Sequence, residues 1–222
     1  MKRYFNYLLV VIIIILMGLI YVNTPYKKFG INYASSMYNQ MMSSLLQNKT
    51  ILDEITSSDT IKIGNIVELH ANYLNVYSNL AEMERFSEYV NYEIRNKRPI
   101  IQIVSDFYRF TGDLIQNDAS FDIYHIQLED HIYTLSKEDA VVFSMMREIT
   151  NTLINTIMIN MPSNYQLSYE NHIVRNLDFK IWLECYNDSN RQIEEFIMEK
   201  YKLSTVSNGV IGDDLINRVK NK

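Results

Sequence analysis

The stretch IGNIVELHANYLNVYSNLA, residues 63–81, carries the clearest periodic pattern in the chain. Its apolar residues recur every three or four positions, which is the spacing of one face of an α-helix. That face comprises Ile63, Ile66, Val67, His70, Tyr73, Leu74, Tyr77, Leu80 and Ala81. Further along, Met83, Phe86, Val90 and Ile94 continue it with a drift of one residue. The pattern predicts one long amphipathic helix packed against a core.

Helical spacing also precedes and follows this stretch. An apolar stripe in residues 33–57 predicts a preceding helix, with Asn48 as its one polar interruption. Residues 58–60 (SDT) offer side-chain oxygens that suit the N-terminal cap of the helix containing Ile63. Pro99 suits the first turn of a third helix, because its missing N–H has no partner at that position in any case.

The next segment, residues 121–135, admits two interpretations. Its apolar residues fit a helix, whereas Tyr124, Ile126 and Leu128 alternate as in a short strand, and we predict the helix. Ser136 and Asp139 have the spacing of a helix cap and open a helix that runs to Met161. Because this helix is apolar on most sides, we predict that it lies at the centre of the domain.

The C-terminal third predicts two more helices. Ser163 and Gln166 have capping spacing, and an apolar face over residues 173–186 predicts the first of these helices. We expect it to break at residues 187–190 (NDSN) and a last helix to run to Tyr201. The predicted fold class is therefore all-α, a compact bundle of five or six helices that follows an N-terminal transmembrane helix.

Composition excludes several protein classes. The chain has 222 residues, of which 47% are hydrophobic, but only 6 Gly, 3 Pro and 1 Cys. These counts exclude a collagen-like protein and a disulfide-stabilised scaffold, and the apolar fraction is too high for a disordered chain.

An apolar run near the N-terminus predicts a membrane anchor. Lys2 and Arg3 precede residues 8–22, which include no polar side chain, and residues 4–22 would span about 28 Å as a helix. A cleaved signal peptide is the alternative, but residues 22–26 (VNTPY) lack the small residues of a cleavage site. We predict an uncleaved signal anchor.

The anchor implies three regions. Residues 1–28 form the anchor, 29–204 the helical domain and 205–222 a loosely ordered tail, with Pro25 and Gly30 separating the membrane helix from the domain. The lipid bilayer is thus a predicted partner through residues 4–22. Within that segment Asn6 is the polar side chain, and we expect it to hydrogen-bond to a partner chain in the membrane.

The basic residues on the two sides of the apolar run suggest the orientation of the chain in the membrane. Lys2 and Arg3 with the amino terminus only slightly outweigh Lys27 and Lys28, which favours a cytoplasmic N-terminus and a domain outside the cytoplasm. Without these four residues the chain holds 17 basic and 26 acidic residues, a net charge of −9. This acidic balance argues against nucleic-acid binding.

One set of side chains has the spacing of metal ligands. Asp122, His125 and Glu129 lie one helical turn apart and would require a further ligand from another helix, such as Glu138 or His172. The same three residues are equally consistent with the ordinary solvent-exposed edge of a helix. We therefore predict no metal and no cofactor, and keep these residues as weak metal-ligand candidates.

Other chemistry-bearing residues also have a structural interpretation. His70 lies on an apolar face and is expected to be a packed histidine bonded through one nitrogen. Cys185 lies in apolar and acidic surroundings that raise a thiol pKa, so we expect a core residue. The chain lacks a Gly-x-Ser-x-Gly nucleophile motif and a glycine cluster for phosphate binding.

An aromatic and basic cluster is the best interaction candidate. Phe107, Tyr108, Arg109 and Phe110 are consecutive, and they suit either a contact patch with cation–π character or, for the two phenylalanines, core packing. We expect a membrane-anchored, non-catalytic helical binding module displayed outside the cytoplasm, a subunit or accessory of a membrane or envelope assembly. Its expected partner is a protein or a second copy of the chain. The alternatives are a membrane-tethered metalloenzyme using Asp122, His125 and Glu129 and a ligand sensor that signals through a partner chain.

Overall fold

The architecture is that of a computed structural model, which describes residues 2–58, 60–89, 99–117, 132–163, 165 and 173–201. These residues form five helices and one small sheet, and the protein is all-α in class, as predicted. The elements are α1 (Lys2–Ile55), β1 (Thr60–Lys62), α2 (Ile63–Tyr89), α3 (Pro99–Asn117), β2 (Ile132–Thr134), α4 (Lys137–Asn160) and α5 (Phe179–Tyr201).

The first helix is longer than the sequence predicted. α1 runs without interruption through Pro25 and Gly30, so the predicted separation at these two residues is wrong. A proline inside a helix costs about 3 kcal/mol, a local penalty that the long helical segments on both sides outweigh. The described side chains of α1 enter the core from Ala34 onward.

Among the residues that the structure describes, no helix has both the length and the apolarity of a membrane span.

α1 and α2 pack side by side in antiparallel orientation. Three contacts at equal intervals along both helices set their register: Tyr33 with Phe86, Ser44 with Asn75, and Glu54 with Asn65. α3 then runs antiparallel to α2, with the rings of Tyr73 and Phe107 in edge contact at 5.3 Å. α2 thus packs on two helices at once.

A two-stranded sheet replaces two predicted helical features. β1 pairs with β2 in antiparallel orientation, with Ile61 opposite Tyr133. Thr60 therefore begins a strand and does not cap α2, and Ile132 lies in a strand and not in a helix. The strands are only three residues long and distant in sequence, so their pairing leaves no periodic pattern to detect.

The central helix α4 follows the sequence prediction closely. Ser136 is its N-cap, and the Ser136 Oγ accepts a hydrogen bond from the Asp139 backbone N–H at 3.0 Å. α4 packs against α1 and α5 and buries residues along most of its length, and it ends one residue before the predicted Met161. Local capping chemistry and an apolar surface were sufficient to locate it.

The start of α5 differs from the prediction. Residues 173–178 are not helical, and α5 begins only at Phe179. The Asn39 side chain binds both backbone groups of Val174, at 2.8 and 2.9 Å, and the Ser35 Oγ accepts from the Leu177 N–H at 2.9 Å. These bonds from α1 replace the helical hydrogen bonds that the sequence pattern implied.

The predicted break at residues 187–190 does not occur, because α5 continues to Tyr201. Polar residues at this point are buried and bonded to other helices. Asn160 of α4 donates to the Ser189 Oγ at 3.4 Å, and the Asn190 Oδ1 accepts from the Ile100 N–H at the start of α3 at 3.2 Å. A sequence motif typical of a turn here supplies hydrogen bonds inside the bundle.

Candidate functional site

A histidine lies between α2 and α3 at the domain surface. His70 is half-buried, and its Nδ1 lies 2.8 Å from the Tyr108 carbonyl oxygen. Because a carbonyl only accepts hydrogen bonds, the Nδ1–H of His70 is the donor in this contact. Thr111 Oγ1 also donates to the Tyr108 oxygen at 3.0 Å. The structure confirms the prediction of a packed histidine bonded through one nitrogen.

Aromatic and aliphatic side chains surround this histidine. The Tyr108 ring lies 5.7 Å from the His70 ring and 5.8 Å from the Tyr77 ring, measured between centroids. Leu74 follows His70 by one helical turn and is 41% exposed, and Arg109 next to Tyr108 is exposed. We call His70, Leu74, Tyr77, Tyr108 and Arg109 the α2–α3 surface. It combines apolar contact area with one cation, a composition suited to protein contacts.

A glycine permits the close approach of the two helices at this surface. A Cβ at Gly112 would lie 3.1 Å from the His70 Cε1 and 3.3 Å from Nδ1. These distances are shorter than ordinary van der Waals contacts, and the His70 ring is held by its bond to Tyr108. Gly112 therefore supports the position of the histidine.

We expect Gly112→Ala to be coupled to His70. Alanine in place of glycine within a helix stabilises it by about 1 kcal/mol, but here the new methyl group displaces the His70 ring. The substitution should therefore give no gain in the native background and the full gain of about 1 kcal/mol in a His70→Ala background. Urea unfolding of the four proteins measures this coupling, and an equal effect of Gly112→Ala in both backgrounds would contradict it.

The structure divides the predicted interaction cluster. Phe107 and Phe110 are 1% and 5% exposed, and Phe110 packs edge-on against Phe143 at 5.5 Å. They belong to the core, which is the packing role that the sequence analysis kept open for the two phenylalanines. Tyr108 and Arg109 remain at the surface because two of four consecutive helical residues face away from the core.

The sequence pattern did not predict that two residues of the α2–α3 surface would lie at the surface. Leu74 and Tyr77 share the apolar face of α2, from which the sequence predicted burial. They lie at the edge of that face, beside α3, where burial is incomplete. Only the position of α3 distinguishes the edge of an apolar stripe from its centre.

The weak metal-ligand candidates lie outside the described residues. This applies to Asp122, His125, Glu129 and the auxiliary His172, while Glu138 is exposed in the first turn of α4. Within the described ranges no group of three His, Cys, Asp or Glu side chains is arranged to hold a metal ion. The side chain of Asn6 also lies outside the description.

Cys185 is buried between α4 and α5. Its Sγ donates to the Ile157 carbonyl at 3.4 Å. Burial raises the pKa of the thiol to about 12, and the nearby Asp188 charge adds to this effect, while a hydrogen bond with Ser189 opposes it. The prediction of a core cysteine is confirmed.

The raised pKa predicts that the thiol of Cys185 reacts slowly in the folded protein. At pH 8 the folded protein should hold roughly a thousandth of the thiolate that the unfolded chain holds, because the pKa is about three units higher. We expect a colorimetric disulfide reagent to label Cys185 at least about 10³-fold more slowly in buffer than in urea. Labelling at comparable rates in both solutions would show that Cys185 is accessible in the native state.

One cavity of the described core is too small for a small-molecule ligand. This cavity has a volume of about 10 Å³ and lies at the junction of α2 to α5. Its wall is apolar except for the hydroxyls of Tyr73 and Thr150, which are bonded to each other at 2.7 Å. This volume admits at most about one water molecule. The α2–α3 surface is therefore the better candidate site.

Comparison of the chain with protein-family models, with curated proteins and with solved structures finds no match.

Proposed function

We propose that the protein is a membrane-anchored, non-catalytic interaction module that binds a protein partner through the α2–α3 surface. The observation that carries this proposal is the continuity of α1, one 54-residue helix that begins at Lys2 and ends inside the core. A helix of this kind would join the apolar N-terminal run to the domain without a flexible linker.

Support for the anchor comes mainly from the sequence. Residues 8–22 have no polar side chain, and a helix over residues 4–22 is about as long as the hydrocarbon layer is thick. Residues 12–17 are six consecutive large apolar residues that are 42% to 65% exposed. Removing each such side chain from water is favourable by about 1.5–3 kcal/mol, which acyl chains of a bilayer would provide.

The binding role is supported by the composition of the α2–α3 surface. Tyrosine, arginine and histidine supply large contact area with polar groups at fixed positions, and tyrosine and arginine are enriched at interface hot spots. The Tyr108 ring is held in place on two sides, by Tyr77 and by His70. A side chain held in this way loses little conformational entropy on binding.

The proposed location is the cell membrane, with a cytoplasmic N-terminus and the domain outside. It follows from the small excess of positive charge before the apolar run. We propose no catalytic activity, because the sequence lacks the nucleophile and phosphate-binding motifs that would indicate one.

The anchor is tested by extraction of membranes at alkaline pH. We expect the native chain to stay in the membrane pellet and a variant with Ile12→Lys, Ile14→Lys and Met17→Lys to move to the supernatant. The orientation is tested with Asn221→Cys in a Cys185→Ser background and a membrane-impermeant maleimide. Labelling of intact cells supports a domain outside, whereas labelling only after lysis contradicts it.

The binding surface is tested by photo-crosslinking in native membranes. A photoreactive amino acid at Leu74 should capture one partner, either another protein or a second copy of the chain, and Tyr108→Ala should abolish the product. The matched control carries the same group at Asn155, which is exposed on α4. Equal capture at both positions, or capture that survives Tyr108→Ala, would contradict binding through the α2–α3 surface.

A further inference from the structure

Two asparagines in the interface between α1 and α2 have unusual surroundings. Asn48 is 0% exposed, and neither its Oδ1 nor its Nδ2 has a hydrogen-bond partner within the described part of the chain. The Asn72 Nδ2 is also buried without a partner there. A buried polar group without a partner costs about 1–3 kcal/mol, so these three atoms require an explanation.

The register of the two helices places the asparagines at the same level. Ser44 lies against Asn75, and four residues further along α1 Asn48 therefore lies level with residues 71 and 72 of α2. Asn72 precedes Asn75 by three residues, so both lie on the side of α2 that faces α1. Asn48 likewise follows Ser44 by one turn, on the side of α1 that faces α2.

The three atoms differ in chemistry. The Asn48 Oδ1 is an acceptor, and the two Nδ2 groups are donors. A direct bond between the amides would pair the Asn48 Oδ1 with the Asn72 Nδ2 and leave the Asn48 Nδ2 unpaired. A water molecule accepts two hydrogen bonds and donates two, so it can serve one acceptor and two donors. Internal waters typically make about three hydrogen bonds.

We infer that Asn48 and Asn72 form an internal hydration site in which a bound water bridges α1 and α2. The water completes the hydrogen bonding of Asn48, whose buried neighbours on α1 include Leu45, Ile51 and Leu52.

This polar bridge also has a consequence for the position of α1. Apolar contacts alone tolerate small rotations and translations of a helix, whereas a buried hydrogen-bonded site favours one register. The site would thus hold α1 at one height and one rotation against α2. If α1 carries the membrane anchor as proposed above, the same site sets how the domain is held relative to the bilayer. The hydration site itself does not depend on that proposal.

The test counts long-lived internal waters in the full chain by oxygen-17 magnetic relaxation dispersion. The variant Asn48→Leu/Asn72→Leu removes all three polar atoms and should hold one long-lived water fewer than the native protein. The matched control Asn79→Leu changes an asparagine of the same helix whose amide bonds to Asn75 of α2 and not across the interface, and it should leave the count unchanged. Equal counts in the native protein and a folded double variant would overturn the inference.

A second measurement needs no substitution. The Asn48 side-chain amide protons of the native protein should show nuclear Overhauser effects to water with the sign of a long-lived contact. Their absence, or a direct bond between the two amides in an experimental structure with no water between them, overturns the site even if the double variant does not fold.

Discussion

Trp182→Ala is expected to lower the free energy of unfolding by about 3–5 kcal/mol. Trp182 is the largest fully buried side chain. It packs edge-on against Tyr38 of α1 at 5.2 Å, and its ring lies tilted against that of Tyr186 at 6.5 Å. Its removal leaves a cavity where α1 meets α5. Since domains of this size are stable by about 5–15 kcal/mol, we expect a large fraction of this variant to unfold near body temperature.

Urea unfolding followed by far-ultraviolet circular dichroism measures the loss. Glu184→Ala is the matched control, because Glu184 lies two residues further on the same helix, is exposed, and makes only a surface ion pair with Lys180 at 3.9 Å. The control should change stability by less than about 0.5 kcal/mol. A loss of less than 1.5 kcal/mol in Trp182→Ala would show that the α1–α5 contact is not part of a close-packed core.

Phe107→Ala is expected to cost about 3–5 kcal/mol, although Phe107 belongs to the sequence cluster from which binding residues were predicted. The residue is 1% exposed and lies against Tyr73, whose hydroxyl reaches Thr150 of α4. Loss of the ring would therefore loosen the junction of α2, α3 and α4. Any loss of partner binding by this variant should be explained by unfolding.

Arg109→Ala separates the two roles of the cluster. Arg109 lies two residues further along α3 and is exposed, so its substitution should change stability by less than about 0.5 kcal/mol. If the α2–α3 surface binds a partner, Arg109→Ala should weaken photo-crosslinking from Leu74 while the protein remains folded. A destabilisation comparable to that of Phe107→Ala would show that Arg109 contributes to the core, contrary to its exposure.

The helices that the sequence predicted well share two properties. α4 begins at a serine whose cap requires only residues 136–139, and α3 begins at Pro99, as its missing N–H suggested. Both signals act over one helical turn, and both are readable without knowledge of the rest of the chain. The periodicity of residues 63–81 was equally local and identified α2.

The wrong predictions share the opposite property. The start of α5 depends on hydrogen bonds from Asn39 and Ser35, more than a hundred residues away. Its continuity past residue 190 depends on bonds to α3 and α4. A polar sequence that would form a turn in water is stable within a helix when neighbouring helices supply its hydrogen bonds.

The candidate site shows the same difference between features that local sequence predicts and features that depend on contacts between helices. The sequence identified Tyr108 and Arg109, and it noted His70 and Asn48 as polar residues on apolar faces. It did not show that His70 bonds to the Tyr108 backbone, that Leu74 is exposed, or that Asn48 and Asn72 lie at the same level. These facts follow from which helices are neighbours and in what register.

The sequence by itself therefore determined the all-α class and the identity of most helices, because helical periodicity and capping act within a few residues. It also predicts the membrane anchor, from hydropathy alone. Only the tertiary structure decided the path of α1 through Pro25, the pairing of β1 with β2, the start of α5 and the division of residues 107–110 into core and surface. Each of these depends on contacts between distant segments, whose free energies exceed local preferences but leave no local pattern in the chain.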